Sequence, residues 1–228
     1  MKKIFLVSLI SLICIISYSC RVSDKVVFLN VGQGDSSLIY INNEVILIDV
    51  GEFDYTSLNL SKYIPLFTKN IDHLIITHAH KDHYGGLNYL LKYYDVKNVY
   101  IPNDCKYVGD YNYYIQELNR KGSRIYYVSY LYVNSNGIDV LTNGKVCEDD
   151  FKEINNTSII VITNINNTRI LFMGDSEKER EGELIDLYGE YIKNIDYVKV
   201  GHHCSETSSS NEFIHAISPK NVICSFGL

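Results

Sequence analysis

Six consecutive positions, His78-Ala79-His80-Lys81-Asp82-His83, hold three imidazoles and one carboxylate. They lie in THAHKDHYGG (77–86), directly after the apolar run Leu74-Ile75-Ile76 and before a helical pattern. On a strand leaving a sheet, side chains alternate, so His78 and His80 point the same way. Asp82 and His83, on the tightening loop behind them, can turn towards a second point nearby. Three imidazoles and a carboxylate suit a borderline-soft divalent ion such as Zn²⁺. Surface loops also carry His and Asp, but this density reads as a two-metal hydrolytic site.

Other stretches must position that cluster. VVFLNVGQGDSSLIYINNEVILIDVG (26–51) reads as a strand at 26–31 and a tight turn at Gly32-Gln33-Gly34. Runs 36–41 and 44–49 follow, joined at Asn42-Asn43 as a hairpin. Asp49 ends its strand, where it either steadies metal ligands from behind or caps a turn. A helix-like segment near 57–69, broken by Pro65, leads to strand 72–77. Beyond the cluster come helix 86–95, strand 97–101, a helix near 111–121, strand 124–129 and a short strand near 137–141. Tyrosines crowd 107–132, as an aromatic platform for bases or as ordinary packing in a Tyr-rich chain. A second hairpin, 158–163 and 168–174, is expected to turn at 164–167 and to deliver Asp175 at its end. Ser176 with Glu179 has the form of a capping box. In YVKVGHHCSETSS (197–209) a strand ends at Gly201, and His202 and His203 occupy a strand-exit position like that of His78. Adjacent side chains point to opposite sides, so one of the two faces the site. His73 and His215 read as structural or surface residues.

The chain has 228 residues, long enough to bury a core without disulfides, and 46% hydrophobic residues, ordinary for a soluble domain. Its net charge of −6, or −8 without Lys2 and Lys3, excludes broad non-specific adhesion to nucleic acid. A polyanion held locally by divalent cations remains open. Residues 1–20 stand apart: Lys2-Lys3 precede the charge-free run 5–17, too short to span a bilayer comfortably and suited to an export signal. Ser19-Cys20 hints at lipoprotein processing with Cys20 acylated; plain secretion and a retained anchor are the alternatives. Cys105, Cys147, Cys204 and Cys224 show no CxxC spacing. An oxidised Cys105–Cys147 pair is compatible with export, and Cys147 and Cys224 read as buried small hydrophobes.

The order VGQGD, LIDVG, THxHxDHxGG, an Asn-rich segment entering a hairpin that ends in GD, then KVGHH resembles the metallo-β-lactamase superfamily. Within it, the likeness is to the hydrolase domain of ComEC-type competence proteins and their stand-alone secreted relatives. It covers about residues 26–228 as one hydrolase domain. It implies an α/β (α+β) αββα sandwich, two mixed β-sheets packed face to face with helices outside. It also implies two divalent metal ions, Zn²⁺ or Mn²⁺. His78 and His80 would hold one, and Asp82 and His83 the other, with Asp175 bridging and His202 completing the second site. His203 is the alternative for that last role. Asn156 and Ser158 stand where many members have one more His, which leaves the first site poor in ligands. Cys204 replaces a usual Gly, and the branch usually continues into a GHP-like motif beyond the position of Leu228.

The function expected is an exported metal-dependent hydrolase, phosphodiesterase or nuclease-like, using a metal-bound hydroxide. Asp82 and His203 are the catalytic candidates, Asp82 as general base if one metal is bound. The substrate expected is a small-molecule or nucleic-acid phosphodiester, with membrane attachment through the N-terminus and no protein partner. The rivals are a lactone or β-lactam-type carbonyl hydrolase and a catalytically silent surface binding protein.

Overall fold

The structure, a computed structural model, describes residues 23–52, 60–65, 68–103, 109–128, 132–134, 137–142 and 154–227. The N-terminal segment with Cys14 and Cys20, the pair Cys105 and Cys147, and Tyr107 and Tyr130 lie outside the described residues.

Strands β1 (Lys25–Phe28), β2 (Ser37–Ile41), β3 (Glu44–Ile48), β4 (Asn70–Ile75), β5 (Asp95–Pro102) and β6 (Arg124–Val128) pair in that order. The first three are antiparallel and the rest parallel. Strands β7 (Tyr132–Asn134), β8 (Ile138–Leu141), β9 (Ile160–Ile165), β10 (Thr168–Phe172), β11 (Tyr197–Lys199) and β12 (Asn221–Ile223) form a second mixed sheet. There β7 to β10 run antiparallel and β10 to β12 parallel.

The layering follows from side-chain alternation. In the first sheet Leu38, Tyr40, Leu47, Leu74 and Val99 face one way. They pack on Leu87 and Leu90 of α2 (Leu87–Tyr93) and on Tyr111, Ile115 and Leu118 of α3 (Tyr111–Arg120). The intervening Ile39, Ile46, Ile48, Ile75 and Tyr100 meet Ile138, Val140, Val161, Ile170 and Phe172 of the second sheet. Phe28 and Phe172 stack across the gap with centroids 5.7 Å apart. The outer face of the second sheet, with Ile160, Ile162, Leu171 and Val198, carries α4 (Lys178–Tyr188) and α5 (Asn211–Ile217) through Leu184, Phe213 and Ile217. Each such side chain contributes about 1.5–3 kcal/mol by leaving water. Two mixed sheets face to face with helices outside is the expected αββα sandwich. Among the described residues no helix is long and apolar enough to cross a membrane.

Asn42 and Asn43 turn with φ of 52° and 65°, the left-handed pair that a two-residue hairpin requires. The second hairpin obeys the same rule, which corrects its expected turn. Asn166 and Asn167, with φ of 51° and 64°, make the turn alone, while Asn164 and Ile165 belong to β9. The capping box also fails: α4 begins at Lys178, with Glu177 before it and no side-chain cap, and Ser176 is buried. β7, unforeseen, borders β8. Cys224 is not a buried hydrophobe, because it and Cys204 are exposed and joined in a disulfide. His73 bonds the Tyr100 hydroxyl and His215 Nδ1 donates to the Asn211 carbonyl, the structural roles expected. In the described part of the tyrosine-rich stretch Tyr111 is core, while Tyr113, Tyr126 and Tyr127 are exposed.

Candidate metal centre

The cluster sits where β4 leaves the first sheet, and four loops hold it. Gly34 brings the first of these in: its φ is +123° and a Cβ there would lie 2.3 Å from the Asp82 carbonyl. The Asp35 amide donates to that carbonyl at 3.2 Å, so the GQGD loop braces α1 (Lys81–Tyr84), which carries Asp82 and His83. At the end of the second hairpin Gly174 (φ +53°) would push a Cβ to 2.9 Å from Ser158 and 3.0 Å from Thr77. Only glycine lets Asp175 reach the site from there.

Asp82, His83, Asp175 and His203 bring one donor atom each to within 4.8 Å of one another, and so do His78, His80 and Asp175. Asp175 belongs to both groups, the position of a bridging carboxylate. His83 Nε2 lies 3.2 Å from Asp175 Oδ1 and 3.9 Å from Asp82 Oδ2. His203 Nε2 lies 3.0 Å from Asp82 Oδ2 and 3.3 Å from Asp175 Oδ2. In the first group His78 Nε2 is 3.1 Å from His80 Nδ1 and 3.8 Å from Asp175 Oδ2.

His202 is not with them. Its Nδ1 lies 3.0 Å from Glu177 Oε1 and 2.8 Å from Thr207 Oγ1, and its side chain is 31% exposed. His203 takes the place expected of His202, so that ligand assignment is corrected. The reason is backbone: His202, His203 and Cys204 all adopt left-handed φ, 45°, 50° and 66°. The turn swings the second imidazole inward, which strand alternation could not foresee.

Behind the donors stands a second ring of groups. Asp49, itself at φ 55°, accepts from the Thr77 amide at 2.7 Å, from Thr77 Oγ1 at 2.7 Å and from His83 Nδ1 at 2.8 Å. It therefore fixes which nitrogen of His83 faces the site. Ser158 Oγ accepts the Asp175 amide at 3.1 Å, and Asn156 Oδ1 the Glu177 amide at 3.0 Å, so both steady the hairpin exit. Three groups went unforeseen. Lys199, from KVGHH, forms a buried ion pair with Asp35 of GQGD, whose other oxygen lies 3.9 Å from His203 Nδ1. Glu177 gathers Asn155 Nδ2 at 3.1 Å and Thr207 at 3.2 Å besides His202. Asp35 and Lys199 lie inside the very motifs that mark the site, and that was their signal.

The electrostatics follow from burial against proximity. Burial opposes charge on His83, but Asp175 and Asp49 on either side outweigh it and hold its pKa well above the usual range. His203 is likewise pushed up to about 9, burial being overcome by Asp175 and Asp82. Burial would raise Asp82, yet hydrogen bonding from His203 and the charge of His83 lower it to about 2. Asp175 is carried far below the usual carboxylate range by the same two imidazoles, against its burial. His78 and His80 go the other way, lowered by burial first, and stay neutral.

The donor set fits a divalent ion. His83 Nε2 and Asp175 Oδ1 are buried and face each other at 3.2 Å, with no other partner within hydrogen-bond geometry. A cation shared between them would satisfy both. Imidazole with carboxylate suits Zn²⁺, and Mn²⁺ is compatible.

Comparison with known proteins agrees with this architecture. The family model of the Metallo-beta-lactamase superfamily matches residues 29–227. ComE operon protein 3 of Bacillus subtilis (strain 168) is 31% identical to the chain over 232 residues, covering 92% of this chain and 29% of that protein. Recombination protein 2 of Haemophilus influenzae is 26% identical over 203 residues, covering 87% and 24% respectively. The chain thus spans less than a third of these curated relatives. The metallo-beta-lactamase fold protein YhfI from Bacillus subtilis shares the fold with a TM-score of 0.57 at 12% identity, covering 89% of this chain and 87% of that one. By fold, motif order and family match, this chain belongs to the metallo-β-lactamase superfamily.

Proposed function

We propose that the chain is an exported metal-dependent phosphodiesterase, acting on a small-molecule or nucleic-acid phosphodiester with two divalent ions, Zn²⁺ or Mn²⁺. The observation that carries it is Asp175 shared between two donor groups, with His83 Nε2 and Asp175 Oδ1 buried and facing each other at 3.2 Å. When bound, such ions lower the pKa of a water and polarise the group it attacks. His83 and His203 supply the nitrogens of one group, kept in orientation by Asp49 and by the Ser225 carbonyl. Asp82 is the more open of the two site carboxylates, and with its pKa at about 2 it stays ionised, which suits it to holding a cation and makes it a weak proton acceptor. The negative charge of Asp82, Asp175 and Glu177 at and beside the site would repel a phosphodiester, so its approach depends on the cations.

Choice of a phosphodiester over a carbonyl substrate is supported by the likeness to competence and recombination proteins. Export is supported by the N-terminal apolar run after Lys2-Lys3, with Cys20 as a candidate acylation site for membrane attachment. The exposed Cys204–Cys224 disulfide belongs in an oxidising compartment and adds to that reading.

The test is metal content together with turnover of bis(p-nitrophenyl) phosphate, with His80→Ala as control. Two ions per chain and turnover abolished in the variant would support the proposal. No turnover with either Zn²⁺ or Mn²⁺ added, or an equally active variant, would overturn it.

A further inference from the structure

The turn bearing His203 is gripped by the chain that follows β12. Three successive non-glycine residues, His202 to Cys204, sit in the left-handed region, which persists only where surroundings enforce it. Cys204 is cross-linked to Cys224 across 20 residues, with Cα atoms 5.9 Å apart. The next residue after Cys224 presents its carbonyl to the imbedded imidazole: His203 Nδ1 donates to Ser225 O at 3.2 Å. Upstream, the Val200 amide donates to Ile223 O at 3.1 Å, continuing the β11–β12 pairing. Downstream, the Gly227 amide donates to Gln33 Oε1 at 2.9 Å, on the GQGD loop. The cystine thus joins the neighbour of His203 to the neighbour of Ser225, and it closes the shortest covalent path between imidazole and carbonyl.

We propose that the Cys204–Cys224 disulfide is a positioning element for the second metal group, holding the Ser225 carbonyl on His203 Nδ1 so that Nε2 faces Asp82 and Asp175. This rests on the metal-site reading above. A backbone carbonyl on Nδ1 leaves Nε2 as the nitrogen that can give up its proton to a cation. Without the cross-link, Nδ1 has another acceptor in Asp35 Oδ1, already 3.9 Å away, and the ring can turn towards it. Among the described residues the bonding partners of His78 and His80 include Thr77, Asp175 and each other but not the cystine, so the first group would be spared.

The test is the full chain carrying Cys204→Ala and Cys224→Ala together, so that no stray thiol remains to bind metal at that place. Mn²⁺ titration of the metal-free proteins is expected to show one ion weakened tenfold or more and the other unchanged. A disulfide also stabilises the whole domain, so Leu118→Ala, buried in the opposite layer, serves as a destabilised control that keeps both affinities. The Nδ1–H resonance of His203, protected by the Ser225 carbonyl, should be present in metal-free wild type and lost in the double variant. Unchanged affinity for both ions, a retained resonance, or free Cys204 and Cys224 thiols in protein purified without reductant would each overturn the proposal. If the double variant does not fold, wild-type protein reduced after folding with tris(2-carboxyethyl)phosphine gives the same readouts. If wild type binds no metal, the functional reading fails, and loss or retention of the resonance still decides the positioning claim.

Discussion

Asp49→Asn isolates the carboxylate that orients His83 with the least other disturbance. Asp49 sits at φ 55°, and asparagine tolerates that left-handed conformation better than most residues. The carboxylate accepts three hydrogen bonds, two from Thr77 at 2.7 Å and one from His83 Nδ1 at 2.8 Å. The amide oxygen can keep the Thr77 amide, and the Thr77 hydroxyl can rotate to accept from the new NH₂. His83 Nδ1–H would meet a donor, and only by giving up that proton could Nδ1 accept from the new NH₂. One charge-assisted bond, worth about 1.5–3 kcal/mol, is therefore lost. Burial pushes the Asp49 carboxyl upward, and relief of that buried charge offsets part of the loss. Net destabilisation of about 2 kcal/mol is expected in urea unfolding of the metal-free protein. The alternative tautomer, with its proton on Nε2, blocks the nitrogen needed for metal. Affinity for the ion at the Asp82, His83, Asp175 and His203 group should fall about 10–100-fold, or roughly 1.4–2.8 kcal/mol. Stability within about 0.5 kcal/mol of wild type, together with unaltered Mn²⁺ affinity, would show that Asp49 does not orient His83.

Other expectations use the same geometry. His203, with its pKa near 9, and His83 must each lose a proton to bind a cation, whereas His78 and His80 are already neutral. Affinity at the second group should thus rise with pH from 6 to 9, by up to about tenfold per unit for each proton displaced, while the first group stays flat; calorimetry in buffers of different ionisation enthalpy would count the protons. His203→Ala should lose one ion, and His202→Ala, which removes contacts to Glu177 and Thr207 and an edge contact with the His203 ring, should keep both in metal analysis. Gly174→Ala should cost about 1–3 kcal/mol in thermal or urea unfolding, since its Cβ meets Ser158 at 2.9 Å at a φ of +53°. Lys199→Met strands the buried Asp35 carboxylate, and a loss of about 3–5 kcal/mol is expected by the same measurement.

Local pattern carried much of this. The turn pairs at Asn42-Asn43 and Asn166-Asn167, the apolar runs of β2 to β5 and β9 to β10, and the spacing of His78, His80, Asp82 and His83 are short-range signals. They survive because each depends on neighbours within a few residues. Register errors were of the same local kind: Asn164 and Ile165 look like turn residues but pair with Arg169 and Thr168 in the ladder. The failed capping box at Ser176 marks a place where tertiary packing buries a hydroxyl that local chemistry would have used as a cap.

What the sequence by itself determined was the fold class, the strand order around the hairpins, and that His78, His80, Asp82, His83 and Asp175 come together as candidate donors. Residue type and alternation specify these, and motif order ties them to one superfamily. What only the tertiary structure decided was which of two adjacent histidines faces inward, that Asp35 meets Lys199, and that Cys204 pairs with Cys224. The partners in the ion pair are 164 residues apart and those in the disulfide 20. The choice between His202 and His203 turns on a left-handed backbone held by distant chain. No periodicity within the segment encodes such contacts, because the groups that enforce them come from other loops and arrive only when the two sheets have packed.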